Sequence, residues 1–358
     1  MNKALRWIVL LLFFLLGAGC FVLYFGMSSD DAGNEGKQAV TGTLLTGTVP
    51  LGKLAVLSGG TLAAGNGRGE VVFLRPGQEP KSVHVTPTSI SAPVTESDGV
   101  FYVGDESGTF AAFTPDRGVL WTFKAGNQIT GGAVRDSDGL VWFGSHDHSL
   151  YALDASGKLV HEVECRGQIN GTPLFHDGFV IFGSCDGKLR KTDIKTGEVV
   201  RELDFDSYIP ETPVLSGGVL YLLTHGGELA AVNADSFEIL YRIKTESTFF
   251  TSPFVTDSCI FLTDSNGKIH VHKRADGAHL AELTSNDTLN PVCTGSDRGV
   301  YAISRHGKLS FFEAGSWKEH VIAEFPSEFR TSVIAAHGFL AAADEYGNIF
   351  YAERKEEP

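Results

Sequence analysis

An apolar strand, a tight turn and a second apolar strand recur every 39 or 40 residues through eight successive units, which predicts an all-β fold. The expected architecture is an eight-bladed β-propeller of four-stranded blades, closed by an N-terminal strand and preceded by one transmembrane helix. The turn column reads Gly69, Gly108, His148, Gly187, Gly227, Gly267, Gly307 and Gly347. Two residues after each comes Val71, Phe110, Leu150, Leu189, Leu229, Ile269, Leu309 or Ile349. Composition agrees: 42 glycines and 25 phenylalanines against 2 methionines lean towards strands and turns. With 42% hydrophobic and 20% charged residues the chain can bury a large core, so disorder is excluded for most of it.

Taken in order, residues 1–27 form the first element, a membrane anchor. Trp7 to Met27 is an uninterrupted apolar run, and a bilayer core needs about 20 such residues. Lys3 and Arg6 precede it, while Asp30, Asp31 and Glu35 follow, so the positive-inside bias places everything after Met27 across the membrane. The expected location is the inner (cytoplasmic) membrane, crossed once, with the propeller in the periplasm. The alternative is a lipoprotein: Leu16-Gly17-Ala18-Gly19-Cys20 resembles a lipobox, with Cys20 the residue for acylation. Residues 28–38 (SSDDAGNEGKQ) read as a solvated linker.

The propeller is expected over residues 39–354, with 355–358 a short tail. In the third unit, Ile129 to Arg135, Leu140 to Gly144, Ser149 to Asp154 and Lys158 to Glu164 read as four strands. Asp-Gly, Asn-Gly and Gly-Gly pairs join such runs because a tight reversal needs positive φ. The eighth unit supplies three strands and lacks its fourth. Val40 to Val49 (VTGTLLTGTV) is a β-rich run with no blade of its own, so it is expected to pair with the last blade.

Residues 138–157 (DGLVWFGSHDHSLYALDASG) and 177–197 (DGFVIFGSCDGKLRKTDIKTG) resemble the PQQ-like, quinoprotein-type repeat over essentially the whole body. Trp-Asp and kelch repeats do not fit. The resemblance implies either a quinone-dependent dehydrogenase or a small non-catalytic protein similar to the BamB-type outer-membrane assembly factor. The vicinal cysteine pair of the dehydrogenases is missing and the body is about half their length. The expectation is therefore no enzyme, no cofactor and no metal. The implied role is a monomeric scaffold binding protein partners of the envelope, attached to the membrane through the N-terminal segment. Small-ligand binding, of a sugar or a quinone, is the alternative, with a PQQ-dependent dehydrogenase more distant. A net charge of −14 excludes non-specific nucleic-acid binding, which requires Lys and Arg to displace counterions. The tryptophan column of the repeat survives at Trp121, while His161, Val200, Tyr241 and Leu280 lie near the matching places, which implies decayed docking between blades.

Candidate site residues lie where eight inner strands converge. Small residues there follow from geometry, but Tyr208, Phe249, Phe250 and Phe329, with Arg330 beside them, do not. Aromatic and Arg anchors are what protein-binding surfaces favour. The expected recognition face comprises these five residues and the His146–His148 turn, with His225 and His306 on neighbouring turns. His270 and His272 alternate along one strand at a spacing a metal could use, with no third ligand visible nearby. Cys165, Cys185, Cys259 and Cys293 allow three disulfide pairings, Cys165–Cys185 among the candidates, or serve as buried small hydrophobes.

Overall fold

The computed structural model describes residues 41–45, 52–75, 78–292, 294–336 and 338–354, with side chains from residue 52 onward. The anchor, the linker, the tail, Cys20 and Cys293 lie outside the described residues. Among the described residues, no helix is long and apolar enough to cross a membrane.

The described strands form eight antiparallel four-stranded sheets. In blade 3 they are Ala133–Arg135, Val141–Gly144, Ser149–Leu153 and Leu159–Glu164. The second and third strands are buried on both faces, because each blade is sandwiched between two others. The outer strand is largely exposed, and in blade 5 Ile239–Lys244 alternates strictly between half-buried and exposed. The innermost strand begins later than expected. Residues 129–132 are not strand, since the blades crowd there: a Cβ on Gly131 would lie 2.6 Å from the Gly171 carbonyl oxygen.

Blade 8 has only three strands of its own: Ile334–Ala336, Phe339–Ala343 and Asn348–Glu353. Thr41–Leu45 supplies the fourth, antiparallel, in register from Thr41 opposite Ala352 to Leu45 opposite Asn348. The expected closing strand is thus present over 41–45, while residues 40 and 46–49 lie outside the described residues. Closure covers an edge that would otherwise template intermolecular pairing.

Eight apolar clusters fill the eight seams between blades. One joins blades 8 and 1 through Ile349, Ala343 and Tyr351 against Leu62, Val72 and Leu74, so the ring has no open seam among the described residues. The others include Ile181 and Leu189 against Leu222 and Val232, and Phe261 and Val271 against Val300 and Phe312.

Docking at the tryptophan column is retained, contrary to the expectation of decay. Trp121 on blade 2 donates its Nε1–H to the Ala155 carbonyl at 2.9 Å, and its ring covers Gly157 on the next blade's turn. Tyr241 likewise donates to the Arg274 carbonyl at 2.8 Å and covers Gly277, while His161 covers Gly197. Val200 and Leu280 are exposed instead. In those seams the ring comes from the opposite side, as Phe237 and Trp317 replace the turn glycine at φ 59° and 52°. Trp317 packs in the seam that holds the small Ala281 and meets Phe261 edge-on at 6.0 Å. In these five seams one large group fills the gap, and which blade supplies it varies.

Candidate functional site

One face of the ring is built from the segments linking consecutive blades and from the turns between second and third strands. Backbone hydrogen bonds tie the two together with the period of the repeat. Ile129 donates to Asp105 at 3.0 Å, Ile169 to Ser145 at 3.1 Å, Ile209 to Ser184 at 3.2 Å, Phe249 to His225 at 3.4 Å and Phe329 to Arg305 at 2.7 Å. The donor residue in every case is driven into the seam between blades, where its side chain is buried.

That register corrects two of the expected contact residues. Phe249 and Phe329 are both 0% exposed and occupy the same packing column as Ile129, Ile169 and Ile209. Phe249 packs with Leu223, Leu229 and Leu262, and Phe329 with Phe325 and Phe350. Their rings cannot meet a partner, because strand convergence fills this column with the largest apolar side chain available.

The next position in each repeat faces the channel mouth. Ser91, Thr130, Asn170, Pro210 and Phe250 line a groove of about 640 Å³. Phe250 and Arg330 also line a cavity of about 530 Å³ at the convergence of the innermost strands. Phe250 is 54% exposed and does not stand alone. The His225 ring lies edge-on to it at 4.7 Å and stacks on Tyr208 at 4.4 Å with an interplanar angle of 13°. The His225 N–H donates to the Tyr208 carbonyl at 3.0 Å, which holds the two rings parallel. Three rings from two inter-blade segments and one turn thus form a single partly exposed cluster. Arg330 is 70% exposed and makes a 3.2 Å ion pair with Glu345.

An ion pair crosses the mouth. Lys53, leading into blade 1, meets Glu211, leading into blade 5, at 2.6 Å, and both border the cavity that Phe250 lines. Glu211 occupies a column held in the other repeats by Lys53, Ala92, Gly131, Gly171, Thr251, Pro291 and Thr331, so the ion pair joins the two charged members of one column. The carboxylate of Glu211 was a readable signal not used above, whereas His225 was expected on this face but not its contacts with Tyr208 and Phe250.

His146 and His148 diverge. His146 borders the groove, with Nδ1 2.8 Å from Gln128 Nε2 and Nε2 3.0 Å from Thr130 Oγ1. Burial pulls its pKa below the ordinary value, opposed by the charge of Asp147. His148 takes the glycine position at φ 79° and points its ring into solvent. His306 is exposed and pairs with Asp287 at 2.9 Å. Cys165, Cys185 and Cys259 are free thiols, and burial pushes Cys165 up to about 11.

Ser247, His270 and Asp264 cluster in blade 6, yet they do not form a nucleophilic triad. Ser247 Oγ at 3.2 Å and Asp264 Oδ2 at 3.0 Å both sit on Nε2, whereas a triad needs them on opposite ring nitrogens. Elsewhere on this blade His279 and Glu282 bring their donor atoms within 4.8 Å of His270, supplying neighbours that the sequence analysis did not see.

Comparison with known proteins gives a consistent picture. Residues 106–205 and 201–287 match the family described as outer membrane protein assembly factor BamB. The structure of BamB from Moraxella catarrhalis superposes with a TM-score of 0.71 at 18% identity, covering 90% of this chain and 98% of that one. The computationally designed Ika8 protein superposes with a TM-score of 0.73 at 16% identity, covering 86% and 98%. No curated protein matches the chain in sequence. At such identities the two superpositions establish the propeller fold alone.

Proposed function

This chain belongs to the family described as outer membrane protein assembly factor BamB, and from that premise we propose that it is a non-catalytic scaffold of the cell envelope. It docks a protein partner across the channel mouth. The observation that carries this reading is the Tyr208–His225–Phe250 cluster, open to solvent beside a cavity that Arg330 also lines. A single exposed Phe is unremarkable, but stacked aromatics next to an Arg are the composition of interface hot spots. The rigid scaffold matters as well. The ring contacts and the backbone bond from His225 to Tyr208 hold the cluster together, so less side-chain entropy remains to be lost on binding.

In this reading the propeller works as a monomer outside the cytoplasm, tethered through the apolar run at Trp7 to Met27. Two reporters fused in turn after Glu353, one active only in the periplasm and one active only in the cytoplasm, test the topology; activity of the first alone supports it, and activity of the second alone contradicts it.

The docking face is tested by co-purification from detergent-solubilised membranes. Tyr208→Ala and Phe250→Ala, alone and combined, are expected to deplete bound envelope proteins, with Val199→Ala on an outer strand as control. Retention of every partner by the double variant would refute the face.

A further inference from the structure

The third and outer strands of blade 6, Ile269–Lys273 and His279–Leu283, carry an unusual concentration of donor groups. His270 pairs with Glu282 and His272 with His279 across the antiparallel ladder, and the register shifts between Val271 and His272. That irregularity matters. Residues 279 and 282 are an odd number apart and would project to opposite faces of a regular strand. An extra residue in the ladder re-aims them to one side. As a result a ring nitrogen of His270, a ring nitrogen of His279 and a carboxylate oxygen of Glu282 lie within 4.8 Å of one another.

We infer that His270, His279 and Glu282 form a binding site for a divalent transition metal of the zinc class. The donor set decides the class: two imidazoles and one carboxylate suit zinc, whereas calcium and magnesium demand oxygens throughout.

The surroundings are those of a ligand set. His270 Nε2 lies 3.0 Å from Asp264 Oδ2, which fixes the ring orientation and leaves Nδ1 as the lone-pair nitrogen. A ligating histidine almost always has its other nitrogen held by an oxygen in this way. The freed Nδ1 faces Glu282 Oε1 at 3.6 Å. Two ligands on a tetrahedral zinc, at ~2.0–2.1 Å from the metal, stand about 3.3 Å apart, so little movement is required. The other carboxylate oxygen of Glu282 accepts from Lys268 Nζ at 2.8 Å, which orients the group. His279 is exposed, and its ring meets that of His272 nearly perpendicularly at 5.4 Å. His272 in turn donates from Nδ1 to the Gly277 carbonyl at 2.9 Å. Exposure of His279 and Glu282 leaves the fourth coordination position to water. A bound ion would staple the outer strand of blade 6 to its neighbour, independently of docking at the channel mouth.

The test is a titration of tag-free, detergent-solubilised full-length chain with ZnCl₂, followed by calorimetry, and with CoCl₂, followed by visible absorption. The expected result is one ion per chain with a four-coordinate Co²⁺ spectrum. His279→Ala and Glu282→Gln, both at exposed positions, should each weaken Zn²⁺ binding at least tenfold. His306→Ala, which alters an exposed His–Asp pair elsewhere, should not. Failure to bind one ion, or binding unchanged in His279→Ala and Glu282→Gln, overturns the assignment.

Discussion

Two adjacent phenylalanines should behave as opposites if the packing register is right. Phe249 is fully buried against Tyr221, Leu223, Leu229, Ile260 and Leu262, and it meets His270 edge-on at 6.2 Å. Truncation to Ala leaves a cavity that a seam packed on both sides cannot collapse to fill, at a cost of about 3–5 kcal/mol. Phe250 is half exposed and loses mainly its contact with His225, worth about 1 kcal/mol. With a urea slope of about 3 kcal/mol/M, the unfolding midpoint should fall by about 1.3 M for Phe249→Ala and by about 0.3 M for Phe250→Ala. Equilibrium unfolding in urea, followed by tryptophan fluorescence and circular dichroism, measures both. Binding should show the reverse order at denaturant-free conditions: Phe250→Ala loses partner while the folded fraction of Phe249→Ala retains it. Equal midpoint shifts, or a larger shift for Phe250→Ala, would refute the assignment of Phe249 to the buried column.

The turns before the outer strands of blades 2 and 3 offer an internal comparison at two glycines, Gly118 and Gly157, with similar positive φ. Gly118→Ala has open space for its Cβ and should cost about 1 kcal/mol through backbone strain alone. Gly157→Ala would place its Cβ 2.6 Å from the Trp121 ring and should cost about 2 kcal/mol more, read from thermal and urea unfolding. A third expectation concerns acid stability. Burial pushes the Asp186 carboxyl up, but hydrogen bonds from Arg190, Ser184 and the Arg166 backbone N–H outweigh it and hold it down at about 2. Because the folded value lies below the unfolded one, this contribution is complete above about pH 4 and is lost as pH falls towards 2. Between those limits the wild type should lose about 2 kcal/mol more than Asp186→Asn, measured by urea unfolding at stepped pH.

The architecture was legible because it rests on local chemistry repeated eight times. Positive-φ turns at Gly108, Gly187 and Gly227 and the apolar runs beside them report blades directly, and the unpaired run near Thr41 reports closure. The docking face was legible only in part. Small residues at Gly131 and Gly171 follow from crowding, and the 40-residue step from Gly187 to Gly227 aligns Phe249 with Ile209, but that spacing does not say which of Phe249 and Phe250 is buried. That choice is made by the neighbouring blade, which buries one ring and exposes the other. The donor cluster of blade 6 escaped for a related reason. His270 is joined to Glu282 by strand pairing across the turn at Gly277, and the register shift that turns His279 to the same side leaves no mark in the sequence. Column swaps such as Ala281 with Trp317 are equally invisible until the two blades are seen together.

Site-specific photo-crosslinking in intact cells tests the central claim most directly. A photoreactive phenylalanine analogue at position 250 is predicted to form an adduct with an envelope protein, while the same analogue at position 199, on the outer strand of blade 4, forms none. An adduct at 199 with none at 250 would contradict a docking face at the channel mouth.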